Sequence, residues 1–189
     1  MKHVGTVKIE TPRLILRKFT LDDAEKMFTN WASSENVTKY LPWSAYKSVD
    51  GVIGYLKNLQ NNYLSDHFYD WCIELKETCE PIGSVGAVSV NEEFSAIGLG
   101  YCLSENYWDQ GIVPEACQSV LGLFFEQLGA VRVSAAHHVS NPKSGRVLQK
   151  LGMQFEGTLR KNAKDNRGNF VDVKVYSITD DDWFRRKNT

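Results

Sequence analysis

The clearest chemistry in this chain lies between Tyr107 and Ala116, in the run Tyr-Trp-Asp-Gln-Gly-Ile-Val-Pro-Glu-Ala. A strand pattern from Ala96 to Leu103 precedes it, and a helical pattern from Ile112 to Leu128 follows. Gly111 supplies the turn, and Pro114 sits in the first helical turn, where its fixed φ suits a helix and no hydrogen bond is lost. Backbone that turns through glycine onto a new helix aims several unpartnered N–H groups into one space, at the positive end of the helix dipole. That arrangement binds phosphate. The same residues also describe an ordinary strand-to-helix turn, and alone they read more readily that way.

A second helix opens at Asn141-Pro142-Lys143-Ser144, with Asn141 as a natural N-cap and Pro142 at the first position. Ser144 falls in the first turn, where its hydroxyl is placed to bond a local N–H. Glu74, Glu105 and Asp172 are carboxylates near expected strand ends, and any of them is a candidate base. His137 and His138 are adjacent on a strand pattern, so they face opposite sides and at most one reaches a given cleft. Cys72, Cys79, Cys102 and Cys117 show no metal-ligand spacing, so no metal site is expected, and Cys102 and Cys117 read as reduced core residues.

The elements that must position these groups follow from periodicity. Val7 to Phe19 alternates around Leu14 and Leu16 as a strand, and Thr20 with Asp23 forms a capping box before the stripe Ala24, Met27, Phe28, Trp31. Tyr40, Pro42, Trp43 and Tyr46 mark an aromatic loop, and Ser48 opens a helix with the stripe Val52, Tyr55, Leu56, Leu59. Tyr69–Leu75, Ile82–Val90 and Ala96–Leu103 read as an antiparallel meander. The helix after Gly111 carries Val113, Ala116, Cys117, Val120, Phe124 and Leu128 on one face and ends at Gly129. Val131–Val139 then returns parallel to Ala96–Leu103 in a right-handed crossover. After the Asn141 helix come two last strands, Met153–Leu159 and Phe170–Ile178, and Trp183 pins the tail.

The chain has 189 residues, 42% hydrophobic and 24% charged, with a formal charge of −1. These values fit a single domain spanning residues 1–189 and argue against general nucleic-acid or anionic-membrane binding. Neither a signal-like N-terminus nor an 18-residue apolar run is present, so the expected setting is the reducing cytoplasm.

Taken together, four pieces of sequence resemble the GNAT superfamily of acetyl-coenzyme A-dependent N-acyltransferases, and within it the RimJ/RimL-like group that acetylates ribosomal-protein N-termini. They are Thr11-Pro-Arg-Leu-Ile-Leu-Arg17, Gly100 to Ala116, Asn141-Pro-Lys-Ser144 leading to Lys150-Leu-Gly-Met153 with Glu156-Gly157, and Val171 to Ser177. Together they span almost the whole chain. The family's glycine motif reads Gln/Arg-x-x-Gly-x-Gly/Ala, whereas this chain has Trp108 at the first position and Val113 at the last.

The resemblance implies an α+β fold: a splayed, mixed, mostly antiparallel sheet of about seven strands flanked by about four helices. It implies acetyl-CoA as cosubstrate, with the pyrophosphate on Gln110, Gly111, Ile112 and Val113. The pantetheine arm is implied beside the backbone of Cys102 and Leu103, with contacts to Asn141 and Ser144. The Leu103 N–H is the implied donor to the thioester carbonyl. Ser144 is the implied acid for the leaving thiolate, because the tyrosine that many relatives carry seven residues after the asparagine is Leu148 here. Asp165 is the implied base, with a route through water left open. The acceptor is an amine, either a peptide N-terminus or a small molecule such as a polyamine, and a homodimer is possible. The departures at Val113 and Leu148 keep open a silent acyl-CoA-binding module.

Overall fold

The alternation from Val7 to Phe19 does not make one strand. At Thr11 and Pro12 the chain turns, Thr11 N–H bonds the Leu14 carbonyl, and β1 (Ile9–Glu10) folds back antiparallel on β2 (Leu14–Arg17). Proline has no N–H to give a ladder, which is why the break falls there. The capping box is present: Asp23 accepts the Thr20 N–H, and it also takes two hydrogen bonds from Arg17. The segment that follows winds through a 3₁₀ turn, α1 (Ala24–Met27) and a π turn (Phe28–Ala32).

The aromatic loop contains a short helix that periodicity did not reveal, α2 (Glu35–Thr38), capped by Ser34. α3 (Val49–Asn62) follows, then the expected meander: β3 (Asp70–Leu75), β4 (Glu80–Asn91) and β5 (Ala96–Leu103). α4 (Ile112–Gly122) continues through a π turn (Leu123–Gln127) and crosses to β6 (Arg132–His138), which pairs parallel with β5. α5 (Pro142–Lys150), β7 (Gln154–Lys164), β8 (Phe170–Thr179) and α6 (Asp180–Lys187) complete the chain.

This computed structural model describes residues 1–187. Among them, eight strands form one sheet in the order β1-β2-β3-β4-β5-β6-β8-β7. The expected seven strands become eight because the first one splits, and the expected four helices become six α-helices with α2 and α6 added. No described helix is long and apolar enough to cross a membrane.

The sheet is buried on both faces. On one face Leu14, Leu16, Trp71, Val85 and Ile97 pack against Ala116, Val120, Phe124 and Leu148 of α4, its π turn and α5. On the other, Phe19, Trp31 and Cys72 pack against Val52, Leu56 and Leu59 of α3. Each fully buried side chain of this size contributes about 2–3 kcal/mol, so neither layer is dispensable.

One irregularity sets up everything below. β5 and β6 pair only at Ala96–Arg132, Ile97–Val133 and Gly98–Ser134. Beyond these, β5 stays with β4 as far as Leu103 and β6 stays with β8 as far as His138, so the sheet opens between them.

Candidate active site

The opening between β5 and β6 is part of a cleft of about 1400 Å³ that passes from one face of the sheet to the other. Its lining includes Cys102, Leu103, Gly111, Ile112, Val113, Asn141 and Ser144. The structure therefore gathers nearly all the sequence-expected cofactor residues into one space.

At the cradle, Gly111 is the N-cap of α4 with φ of +77°, a backbone conformation that an L side chain strains to adopt. The first helical carbonyl bond runs from Glu115 N–H to Gly111 O, which leaves the Ile112 and Val113 N–H groups at the open end of the helix. The Val113 side chain is only 7% exposed and belongs to the core cluster, so the departure from glycine or alanine is used for packing. Gln110 contributes through its backbone: its carbonyl accepts from Arg13 Nη1 at 3.0 Å, and its side chain bonds back to Asn106 O at 2.7 Å.

Two supports of this cradle lay beyond sequence reasoning. Glu115, in the first turn of α4, accepts Thr11 Oγ1 at 2.6 Å, Arg13 N at 3.0 Å and Arg13 Nε at 2.6 Å. Burial raises its pKa, but the bonds from Thr11 and Arg13 outweigh that and hold the carboxyl below its ordinary value. On the opposite bank Lys143 of α5 pairs with Asp109 at 2.8 Å and lies over the Trp108 ring, 4.7 Å from its centroid. Lys143, Arg146 and Lys150 all line the cleft there, a cationic bank suited to a polyanion. A glycine-shaped helix start facing three cations fits the phosphates of coenzyme A.

Deeper in, the ladder decides which backbone groups are free. Ser104 N–H bonds Ile82 O, so by alternation Cys102 turns its backbone to β4 and Leu103 turns its own towards the opening. The Leu103 carbonyl accepts Trp108 Nε1 at 2.9 Å, while by the same alternation its N–H turns towards the gap. Cys102 contributes its side chain to the other face, with Sγ 3.3 Å from Ser84 Oγ. Burial pushes its thiol up to about 11, so it is protonated at neutral pH and unsuited to nucleophilic attack.

Asn141 caps α5 by accepting Ser144 N–H at 3.3 Å. Leu148 is fully buried and belongs to the core. The phenol that its position lacks arrives from another element: Tyr101 of β5 places its hydroxyl 2.8 Å from Ser144 Oγ and 3.2 Å from the Ser144 carbonyl. Burial raises the Tyr101 pKa, which keeps the phenol protonated. Tyr101 was not singled out from sequence, because in a strand pattern it is one more aromatic. Its register opposite Val85 on the α4–α5 face is the fact that gives it a role.

The carboxylates proposed as bases are engaged elsewhere. Asp165 is in the β7–β8 turn, accepting the N–H groups of Arg167 and Asn169 at 2.9 and 2.8 Å, away from the cleft lining. Glu74 pairs with Arg17, Glu105 accepts from Ser34 and Asn36, and Asp172 accepts Lys161 N–H. The histidines do face opposite sides. His137 lies under Gly145 of α5, and His138 faces Tyr40, 5.2 Å between ring centroids. The His138 Nδ1 lone pair accepts Ser140 N–H at 2.9 Å, which puts the neutral ring's proton on Nε2 and leaves no free lone pair.

Over the face of α1–α3 the cleft widens into a well walled by Tyr40, Trp43, Tyr46 and Tyr55. Ser44 Oγ donates to Asn166 O at 2.8 Å, tying the aromatic loop to the β7–β8 turn.

A sheet that opens between β5 and β6 beside a glycine-capped helix start is the architecture of an acyltransferase fold. Residues 13–154 match the acetyltransferase (GNAT) domain, and the chain belongs to that family: it is a GNAT N-acetyltransferase that uses acetyl-CoA. It is 33% identical over 170 residues, 90% of this chain and 95% of the other, to YoaA of Bacillus subtilis (strain 168), described as an uncharacterized N-acetyltransferase. Among solved structures, the ribosomal-protein-S5-alanine acetyltransferase of Vibrio fischeri aligns with a TM-score of 0.81 at 24% identity, covering 94% of this chain and 98% of that one. The microcin C7 self immunity acetyltransferase MccE, solved with acetyl-CoA and AMP, aligns with a TM-score of 0.80 at 22% identity, covering 89% and 93%.

Proposed function

We propose that the acceptor is a primary amine at a chain end, most simply the N-terminal amino group of a protein, as in the RimJ/RimL-like group. The tie between two loops supports this reading. The Ser44–Asn166 hydrogen bond holds the aromatic loop against the β7–β8 turn beside the well, an arrangement that suits a slender chain end better than an amine set in a broad folded surface. In the cleft, the cradle at Gln110–Val113 holds the pyrophosphate, the Leu103 N–H polarises the thioester carbonyl, and Asn141 and Ser144 flank the pantetheine arm. Ser144, backed by the Tyr101 hydroxyl, protonates the departing sulfur. Much of the rate comes from holding two reactants together, which in favourable cases supplies about 7–11 kcal/mol.

A small-molecule amine is the second reading, favoured by the aromatic well, which is large enough for a free aromatic or aliphatic amine. Thiol release from acetyl-CoA separates the two. Peptides with free Ser or Ala N-termini, the same peptides blocked at the N-terminus but carrying an internal lysine, and small amines are compared. Turnover confined to free N-termini is expected; preference for small amines overturns the leading reading.

A further inference from the structure

Two carboxylates line the cleft, Asp109 and Asp70. Asp109 is at the phosphate end and is paired with Lys143. Asp70 is on β3, and in the antiparallel ladders it stands opposite Gly86 of β4, which stands opposite Gly100 of β5. Residues opposite one another share a face. Asp70 therefore points to the α1–α3 side along with Cys72, Ser84 and Cys102, at the base of the aromatic well. Position 86 carries no side chain, and Asp70 is within electrostatic reach of Cys102 on β5 at the edge of the opening, while the Val88 side chain fills the space over Gly100. A Cβ at 86 would meet Asp70 Oδ1 at 3.1 Å.

Among the described residues, no cation is paired with Asp70. Its Oδ2 accepts the Tyr55 hydroxyl at 3.2 Å, and the other groups facing it are Tyr63 of α3, Cys72 of β3 and Cys102 of β5. Tyr63 and the two thiols are pushed up by burial and are neutral at physiological pH. Burial likewise pushes Asp70 up to about 7, against the hydrogen bond from Tyr55. A carboxylate without a counter-ion, set under aromatic rings, is a site for a positive charge that comes from outside.

We propose that Asp70, with Tyr55, forms the acceptor-ammonium subsite: it binds a protonated primary amine carried on an apolar or aromatic arm and takes the proton that frees the nitrogen for attack. This rests on the acetyltransferase reading for its chemical step. One N–H proton passes to the Asp70 carboxylate, and the nitrogen lone pair forms the new C–N bond at the acetyl carbonyl carbon. The C–S bond breaks with its electrons on sulfur, Ser144 gives its hydroxyl proton to the thiolate, and the nitrogen's second surplus proton restores Ser144. Asp70 then returns its proton to water, so the sum is amide, free thiol and one released proton.

The test uses phenethylamine, an ammonium on an aromatic arm, titrated calorimetrically into the full chain without acetyl-CoA at about pH 6 and about pH 8. Wild type is expected to bind at least about tenfold more tightly at the higher pH, where Asp70 is ionised. Asp70→Asn is expected to lose that pH dependence and to bind at least about tenfold more weakly at about pH 8. Unchanged acetyl-CoA affinity in Asp70→Asn controls for a folding defect. With acetyl-CoA present, Asp70→Asn should lower kcat/KM at least about 100-fold and abolish its acidic limb. Wild-type affinity and acidic limb in Asp70→Asn, or wild-type protein that binds the amine weakly and equally at both pH values, overturns the subsite. Loss of amine binding with the acidic limb retained overturns the proton transfer. Acetyl-CoA binding is measured in parallel: if wild type fails to bind it, the transferase reading falls while the amine titration still reads the subsite.

Discussion

At the scale of single residues, Asp70 ties the site to stability in an unusual direction. Its folded pKa of about 7 lies above the ordinary 3.8, so between those values the folded chain holds a proton that the unfolded chain has lost. Unfolding releases that proton, and the Asp70 contribution to stability falls as pH rises through this window and levels off above about 7. Asp70→Asn lacks the effect. It should match wild type near about pH 4 and become more stable by up to about 4 kcal/mol near about pH 8, checked by chemical denaturation across pH. Ser144→Ala and Tyr101→Phe should each lower kcat by about tenfold or more with little change in acetyl-CoA affinity, while equal losses in both would assign them to binding. Legibility at this scale follows locality. Asn141 and Gly111 announce themselves because caps and turns are local backbone requirements. Tyr101 and Asp70 do not, because their roles come from register with residues far along the chain. Asp70 sits within an alternating pattern whose polar side ordinarily faces water, and here α1–α3 cover that side.

Among elements, the connection between the first hairpin and α4 accounts for a motif whose role the sequence left blank. Thr11 and Arg13 converge on Glu115, and Arg13 also holds the Gln110 carbonyl, so the turn before α4 is braced from a strand about a hundred residues away. Arg13→Ala should therefore raise the Kd for acetyl-CoA by roughly tenfold, about 1.4 kcal/mol, measured by calorimetry, although Arg13 sits behind the cradle. Gly111→Val should abolish binding, since φ of +77° is strained for any β-branched residue; unchanged affinity would displace the phosphate site from this turn. Long periodic elements such as α4 and β5 were legible from their apolar spacing. The split of the first strand, α2 and α6 were not, because each is too short or too polar for periodicity to register. The base assigned to the β7–β8 loop through resemblance illustrates the limit of transfer, for a loop's direction is set by contacts such as Ser44–Asn166.

For the whole molecule, the sheet is two blocks joined by three residue pairs, β1–β5 on one side and β6, β8 and β7 on the other. On the proposed assignment acetyl-CoA in the opening adds a strand-like partner to both, so saturating ligand at about 100 times its Kd should stabilise the fold by about 2.7 kcal/mol, read as a rise in Tm. The same opening has two mouths. The cradle, Asn141 and Ser144 belong to the α4–α5 face, whereas the aromatic well and Asp70 belong to the α1–α3 face. On the proposed assignment each ligand has its own door, and neither blocks the other's departure. With every cysteine in the cleft held as a thiol, no acyl group is parked on the protein between visits. Initial velocities at varied acetyl-CoA and amine should accordingly give double-reciprocal lines that intersect, the mark of a ternary complex, where parallel lines would signify a ping-pong cycle through a single door.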